Sequence, residues 1–239
     1  MSLYSGLQKR IISIDIVKLK AHTRIMTLAD KITSARLILA PSFFLVYFLP
    51  RFFPAFFGAT PIPFGSGVVY TGAVWTVPVL WLIAIVSELS DLFDGKIARK
   101  RGEVSDFGKL FDPFADTLTK ITYFLCFVID GIFPPFLFLL VLYREFSILF
   151  VRNLMLKKGV ALGARLSGKV KTVIYVVAGG FALLATSLIR FGVGEEYFRW
   201  FVLTAQVIFV LSVIVSIYSF VEYTLVYIKT PKTGSANQG

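Results

Sequence analysis

Residues 198–227, FRWFVLTAQVIFVLSVIVSIYSFVEYTLVY, form the stretch of sequence that decides the fold class. These 30 residues include two charged side chains, those of Arg199 and Glu222. A helix of about 20 apolar residues is long enough to cross the hydrocarbon core of a bilayer. The stretch therefore predicts a transmembrane helix that tilts or extends past the membrane surface.

The rest of the chain has the same apolar character. Of its 239 residues, 56% are hydrophobic and 16% are charged, against about 25% charged in a soluble domain. This composition leaves too little polar surface for a soluble enzyme, and the single cysteine, Cys126, excludes an intrachain disulfide. We predict an all-α integral membrane protein with six transmembrane helices at residues 32–49, 75–93, 110–129, 133–154, 170–189 and 198–227.

The basic residues are distributed unevenly between the two sides of the predicted bundle. The net charge is +11, and most Lys and Arg residues lie in the N-terminal segment and in the second-to-third and fourth-to-fifth connections. The alternate connections hold only Arg51, Arg190 and Arg199. Because Lys and Arg are retained on the cytoplasmic side, we expect a multi-pass protein of the cell inner (cytoplasmic) membrane with both termini in the cytoplasm.

The two ends of the chain differ from its middle. Residues 1–29 mix apolar and basic side chains, which predicts an N-terminal amphipathic interfacial helix on the cytoplasmic side. A solvated basic arm is the alternative for this segment. Residues 30–228 hold the six predicted transmembrane helices, and residues 229–239 are typical of a disordered cytoplasmic tail.

Half of the acidic residues fall within one short segment. Seven of the fourteen Asp and Glu residues lie between Glu88 and Asp116. Asp91 and Asp94 are three residues apart, so they share one helical face, as do Asp112 and Asp116 at a spacing of four. Ionisable groups at membrane depth are costly and indicate a functional site. Facing carboxylates repel unless a cation lies between them, which favours Mg²⁺ or Mn²⁺ over the alternative of ordinary acids paired with Lys and Arg.

The order of these residues resembles the signature of the CDP-alcohol phosphatidyltransferase family. Six spans and a site at the cytoplasmic side also agree with that family, so the resemblance covers nearly the whole chain. Eight defined positions are filled at the expected spacing, by Asp91, Asp94, Gly95, Ala98, Arg99, Gly108, Asp112 and Asp116.

The resemblance implies a phosphotransferase reaction and a role for each residue of the signature. A phosphatidyl group passes from CDP-diacylglycerol to an alcohol, and CMP is released. The implied cofactor is Mg²⁺ or Mn²⁺, with Asp116 also serving as the catalytic base for the acceptor hydroxyl. A homodimer in contact with membrane lipids is implied, and no nucleic-acid partner is expected. The implied metal ligands are Asp91, Asp94, Asp112 and Asp116, and the implied CDP-lipid contacts are Asp91, Asp94, Gly95, Ala98, Arg99 and Gly108.

A second group of residues bears on the acceptor alcohol. These residues are similar to positions in family members whose acceptor carries its own phosphate, such as sn-glycerol 3-phosphate, and basic side chains suit that phosphate. Those members usually have asparagine and lysine where this chain has Asp30 and Thr117. Ordinary positive-inside anchoring is the alternative for the basic members. The candidate ligands of the acceptor phosphate are Thr33, Arg36, Arg144, Arg152, Lys169 and Lys171.

Two other kinds of function are compatible with parts of the sequence. A synthase of the same family with another acceptor (inositol phosphate, phosphatidylglycerol, serine or a choline-type alcohol) is the first. A cation transporter that uses the four aspartates as its ion site is the second. Transport favours carboxylates near the bilayer midplane and repeated halves of the chain. Here the acids lie at the cytoplasmic ends of two predicted spans and no internal repeat is visible, so we expect an enzyme.

Overall fold

Long helices make up most of the protein. The computed structural model describes residues 28–101, 106–158 and 166–230. Each predicted span overlaps one long helix, whereas the predicted interfacial helix and tail lie outside the described residues, except for 28–29 and 229–230. In chain order the elements are α1 (Leu28–Phe52), α2 (Pro54–Phe57), β1 (Thr60–Phe64), β2 (Gly67–Thr71), α3 (Thr76–Arg101), α4 (Asp106–Ile129), α5 (Pro135–Lys157), α6 (Leu166–Arg190) and α7 (Glu195–Lys229).

Three of the described helices are long and apolar enough to cross a membrane. They are Ile32–Phe52 in α1, Leu166–Arg190, which is α6, and Glu195–Lys229, which is α7. The remaining long helices, α3 to α5, carry charged residues such as Glu88, Lys120 and Arg144 within their length, which makes them less apolar. The described elements are those of a helical membrane protein.

The proline-rich segment 50–72 is more ordered than the loop that its composition predicts. It contains α2 and an antiparallel hairpin in which Thr60 of β1 lies opposite Thr71 of β2. A Cβ atom on Gly67 would approach the backbone of Asp130, in the turn after α4, to 2.5 Å. Only glycine lets the hairpin rest on that turn. The predicted all-α fold therefore gains a small two-stranded sheet at one end of the bundle.

Aromatic rings hold α4, α6 and α7 together in the core. Phe124 of α4 meets the rings of Tyr175 on α6 and Phe209 on α7 edge-on, each at 5.2 Å between centroids. Phe209 also stacks on Phe133, just before α5, at 4.1 Å. All four rings are buried, and each pair adds about 0.5–1.5 kcal/mol beyond its area burial. This packing sets the relative positions of helices that carry the polar residues described below.

A buried polar network joins the helices at the end of the bundle that holds the hairpin. Arg190 donates to Thr76 Oγ1 and, at 2.7 Å, to the carbonyl oxygen of Tyr47. The Tyr47 hydroxyl donates to Asp130 Oδ2 at 2.8 Å. Burial raises the pKa of Asp130 to about 6, although the bond from Tyr47 opposes that change. Asp130 lies about 27 Å from Asp112 along the axis of α4, so this network is far from the carboxylate cluster.

Candidate active site

One arginine of α1 joins the carboxylates of α3 and α4. Arg36 is only 1% exposed, and it donates from Nη1 to Asp91 Oδ1 and from Nη2 to Asp112 Oδ1. Helix α1 packs along both α3 and α4, which places this guanidinium between the two carboxylates. The structure therefore brings the end of α3 and the beginning of α4 to the same depth in the bundle.

The last aspartate of the signature has a different cationic partner. Asp116 lies one turn beyond Asp112 on α4, and its Oδ1 accepts a hydrogen bond from Lys120 Nζ. Lys120 follows Asp116 by four residues, a spacing that puts two side chains on one helical face. Only 6% of the Lys120 residue is exposed. Two buried cations, Arg36 and Lys120, thus bond to the three aspartates of the signature whose side chains the structure describes.

A polar cavity of about 310 Å³ brings these carboxylates to the predicted acceptor residues. Helices α3 and α4 supply the acidic part of the lining, while α5 and α6 supply the basic part. Opposite charges in one partly enclosed space suit a ligand that carries phosphate groups beside a cation. The charged lining residues are Asp91, Asp112, Asp116, Arg144, Glu145, Arg152, Lys169 and Lys171.

Glu145 organises the basic part of the cavity. Its carboxylate accepts hydrogen bonds from Arg144 Nη1 at 2.8 Å and from Lys171 Nζ at 2.8 and 3.0 Å. Tyr175 donates a further bond to Glu145 at 3.2 Å, and Arg144 Nε donates to the carbonyl oxygen of Ser216 at 3.0 Å. This role was not predicted, although the adjacent Arg144 and Glu145 in the sequence are a signal for a buried pair.

Among the described residues, Arg152 and Lys169 form fewer contacts than Arg144 and Lys171 do. The Arg152 guanidinium lies over the ring of Tyr223, 5.6 Å from its centroid. Its Nε atom is buried and has no hydrogen-bond partner in the part of the chain that the structure describes. Lys169, at the beginning of α6, is exposed. Both side chains line the polar cavity and have donors available for an anionic ligand.

The remaining predicted site residues lie elsewhere or outside the description. Thr33 accepts a bond from Arg36 at 3.4 Å, and neither residue is among the described lining of the polar cavity. The structure therefore places Arg36 against carboxylates, whereas the sequence motif suggests contact with the acceptor phosphate. For the remaining predicted residues, the structure describes only the backbone, which lies in α3 and α4. These residues are Asp94, Gly95, Ala98, Arg99 and Gly108.

The donor atoms of the cavity fit the predicted divalent cation by their chemistry. Three carboxylates line one space, and Mg²⁺ or Mn²⁺ prefers such oxygen ligands beside a bound phosphate. Among the described side chains, no three acidic, histidine or cysteine groups are grouped closely enough to hold a metal ion. Asp94, for which the structure describes only the backbone, follows Asp91 by three residues on α3.

A second, apolar cavity of about 250 Å³ lies beside the polar one. Residues of α1, α3, α4 and α6 line it, among them Phe43, Trp81 and Gly179. Two charged residues, Glu88 and Lys120, are part of its lining. Lys120 also bonds to Asp116, so it connects the lining of the apolar cavity with a carboxylate of the polar cavity. The sequence pattern does not predict this cavity.

Comparison with known proteins shows the family of the chain. The chain matches the CDP-alcohol phosphatidyltransferase family over residues 26–218, which include all eight positions of the signature. A Treponema pallidum (strain Nichols) protein is 36% identical over 199 residues, which are 83% of this chain and 88% of the relative. Its name is CDP-diacylglycerol--glycerol-3-phosphate 3-phosphatidyltransferase.

More distant relatives have related names. A Bacillus subtilis (strain 168) protein with the same name is 29% identical over 66% of this chain and 76% of its own length. A Mycobacterium tuberculosis protein named probable phosphatidylglycerophosphate synthase is 29% identical over 71% of this chain and 72% of its own length. The match over residues 26–218 and the similarity to the Treponema protein confirm the resemblance seen in the signature. This chain belongs to the CDP-alcohol phosphatidyltransferase family.

Proposed function

We propose that this enzyme transfers the phosphatidyl group of CDP-diacylglycerol to sn-glycerol 3-phosphate and forms phosphatidylglycerophosphate and CMP. The observation that carries this proposal is the polar cavity, where signature carboxylates and a set of basic side chains share one lining. The names of the relatives support the same donor and acceptor. Both substrates carry phosphate groups, so the cavity must hold anions beside its own carboxylates.

In this proposal, the carboxylates of the polar cavity bind the donor substrate through a metal ion. We assign Asp91, Asp94, Asp112 and Asp116 as ligands of Mg²⁺ or Mn²⁺, because these ions prefer carboxylate oxygens beside a bound phosphate. When bound, the metal neutralises the diphosphate and stabilises the leaving oxygen of CMP. The resemblance places Gly95, Ala98, Arg99 and Gly108 against the CDP part of the donor. The apolar cavity beside Lys120 has the size and lining for part of an acyl chain.

The basic residues of the polar cavity bind the phosphate of the acceptor. The phosphate of sn-glycerol 3-phosphate is an anion that charge-assisted hydrogen bonds from Arg and Lys recognise. Arg152 and Lys169 line the polar cavity and carry N–H donors for this phosphate. The Nε atom of Arg152 is buried without a hydrogen-bond partner in the described chain. Arg144 and Lys171 are held at the cavity by Glu145. This arrangement favours a phosphorylated acceptor over serine or a choline-type alcohol.

Asp116 is the base in the proposed reaction. The acceptor hydroxyl oxygen forms a bond to the phosphorus that carries diacylglycerol, and the bond from that phosphorus to the CMP oxygen breaks. The proton of the hydroxyl passes to the Asp116 carboxylate, which lines the polar cavity near the basic residues. A positioned base of this kind accelerates a reaction by about 10²–10⁴-fold.

The proposal includes the membrane arrangement expected from the sequence. Six long helices of the described chain cross the cell inner membrane, with both termini and the polar cavity on the cytoplasmic side. The distribution of Lys and Arg residues supports this orientation. The family resemblance also supports a homodimer, which crosslinking in native membranes tests directly.

An acceptor panel tests the proposed function. Purified protein is incubated with CDP-diacylglycerol, Mg²⁺ or Mn²⁺, and one alcohol at a time, and CMP release is followed. The panel contains sn-glycerol 3-phosphate, inositol phosphate, phosphatidylglycerol, serine and choline. We expect release with sn-glycerol 3-phosphate and its loss on chelation with EDTA. Release with another member of the panel alone would overturn the choice of acceptor, and full activity in EDTA would overturn the metal assignment.

A further inference from the structure

Lys120 is a buried cation that the proposed reaction does not use directly. It lies in the interior of α4, where only 6% of the residue is exposed. A charged group at such a position costs free energy, and pairing it with a carboxylate seldom recovers more than that cost. An ion pair of this kind is weak evidence for stability. Stability alone therefore does not explain a lysine at this position.

The two cavities show from which direction Lys120 approaches Asp116. Asp116 lines the polar cavity, where the acceptor side chains are. Lys120 lines the apolar cavity and is not among the described lining of the polar one. Its Nζ atom bonds to Oδ1 of Asp116. The lysine thus bonds to one oxygen of the carboxylate from the lining of the apolar cavity, and Oδ2 takes no part in this bond.

Glu88 provides a second negative charge for the same ammonium group. It lies on α3, lines the apolar cavity together with Lys120, and interacts electrostatically with it. Arg36, in contrast, bonds to Asp91 and Asp112. Among the described residues, Lys120 is therefore the cation in direct contact with the proposed base.

We propose that Lys120 is a positioning residue for the transfer reaction, which fixes the Asp116 carboxylate so that its second oxygen meets the acceptor hydroxyl. This inference rests on the proposed role of Asp116 as the base. Lys120 is not among the described lining of the polar cavity, where the acceptor side chains lie. A misplacement of the base by about 1 Å lowers turnover by about 100-fold, because proton transfer depends on short, aligned contacts. The effect of Lys120 is therefore on kcat, with the KM for the acceptor little changed.

The test replaces Lys120 by methionine, which has a similar length and no charge. We expect Lys120→Met to lower kcat about 10- to 100-fold, with little change in the KM for the acceptor or in CDP binding measured by calorimetry. Lys120→Arg restores a cation and recovers most of the lost turnover. Lys158→Met is the matched control, since Lys158 Nζ donates to the carbonyl oxygens of Tyr227 and Thr230. It should behave as the unaltered enzyme does.

A double-variant cycle shows whether Lys120 acts through Asp116. If it does, Asp116→Asn and Asp116→Asn/Lys120→Met have the same residual turnover. Unaltered kcat in Lys120→Met, or a raised KM for the acceptor at normal kcat, would overturn the positioning role. Loss of CDP binding together with thermal stability in both Lys120 variants would show a structural role instead. Normal turnover in Asp116→Asn alone would refute the proposed base, which is a separate failure.

Discussion

Replacing Glu145 by glutamine is the sharpest test of the basic part of the cavity. The carboxylate of Glu145 accepts bonds from Arg144 and Lys171 at 2.8 Å, and from Tyr175 at 3.2 Å. All four side chains are buried. Glu145→Gln keeps the shape of the side chain but removes the negative charge, so two buried cations lose their shared partner. No other described carboxylate forms a salt bridge with either cation.

The expected loss of stability in Glu145→Gln follows from the burial of these four side chains. Removing one partner of a buried ion pair costs about 3–5 kcal/mol, because the other charge stays in a medium of low polarity. In a chain of about this length, each kcal/mol lowers Tm by about 2–4 °C. We therefore expect a fall in Tm of about 6–20 °C. The catalytic efficiency with sn-glycerol 3-phosphate should also fall, since Arg144 and Lys171 lose the group that orients them.

The assay is thermal unfolding in detergent, followed by tryptophan fluorescence, together with CMP release at saturating CDP-diacylglycerol. Glu195→Gln is the control: its bond with Arg199 is a long 3.6 Å contact between two exposed side chains. Such a pair contributes about 0–1 kcal/mol, so the control should shift Tm little. Glu145→Leu/Lys171→Met removes both members of a buried pair and should regain part of the stability lost by Glu145→Gln.

Two results would refute this reasoning. If Glu145→Gln had the Tm of the unaltered protein, the carboxylate would not stabilise the two cations. If Tm fell while the catalytic efficiency with sn-glycerol 3-phosphate stayed constant, Glu145 would serve the fold and not the acceptor site. A parallel measurement of CDP binding separates both cases from a general loss of the folded protein.

Three further predictions concern single residues. Asp116→Asn should lower turnover by about 10²–10⁴-fold while CDP binding by calorimetry is retained; turnover near normal would refute its role as base. Arg152→Met should raise KM for sn-glycerol 3-phosphate about tenfold or more, the value of a hydrogen bond to a charged group, and leave KM for CDP-diacylglycerol unchanged, as kinetics with each substrate varied will show. Burial raises the pKa of Asp130 to about 6, above its unfolded value of about 3.9. The folded state then binds the proton more tightly, so its stability falls as pH rises from about 4 to about 6. Asp130→Asn keeps an acceptor for Tyr47 and should weaken this fall when Tm is measured across that range; an unchanged slope would contradict the assignment.

The helical membrane fold was largely predictable because its signal is local. Each long apolar stretch predicts a helix, and each long helix of the described chain overlaps one predicted span. The hairpin in segment 50–72 was not predictable, because its prolines indicate a loop. It depends on a tertiary contact, the close approach of Gly67 to the backbone of Asp130.

The candidate site was also predictable only in part. The spacing of Asp112 and Asp116 predicts that they share one face of a helix, and the structure puts both at the polar cavity with Asp91. The shared partner of Asp91 and Asp112 was not predictable, because Arg36 is 55 residues from Asp91 and 76 from Asp112 in the sequence. Sequence spacing identifies neighbours within one helix and carries no information about which other helix packs alongside.

The sequence by itself determined the family, the helical membrane architecture and the aspartates that carry the proposed chemistry. These are encoded in hydrophobic length and in spacings along single helices. Only the tertiary structure decided that Arg36 lies between two carboxylates, that Glu145 holds Arg144 and Lys171, and that two cavities adjoin at Lys120. The physical reason is that buried charges take their partners from whichever helices pack around them, and helix packing brings together residues far apart in the chain.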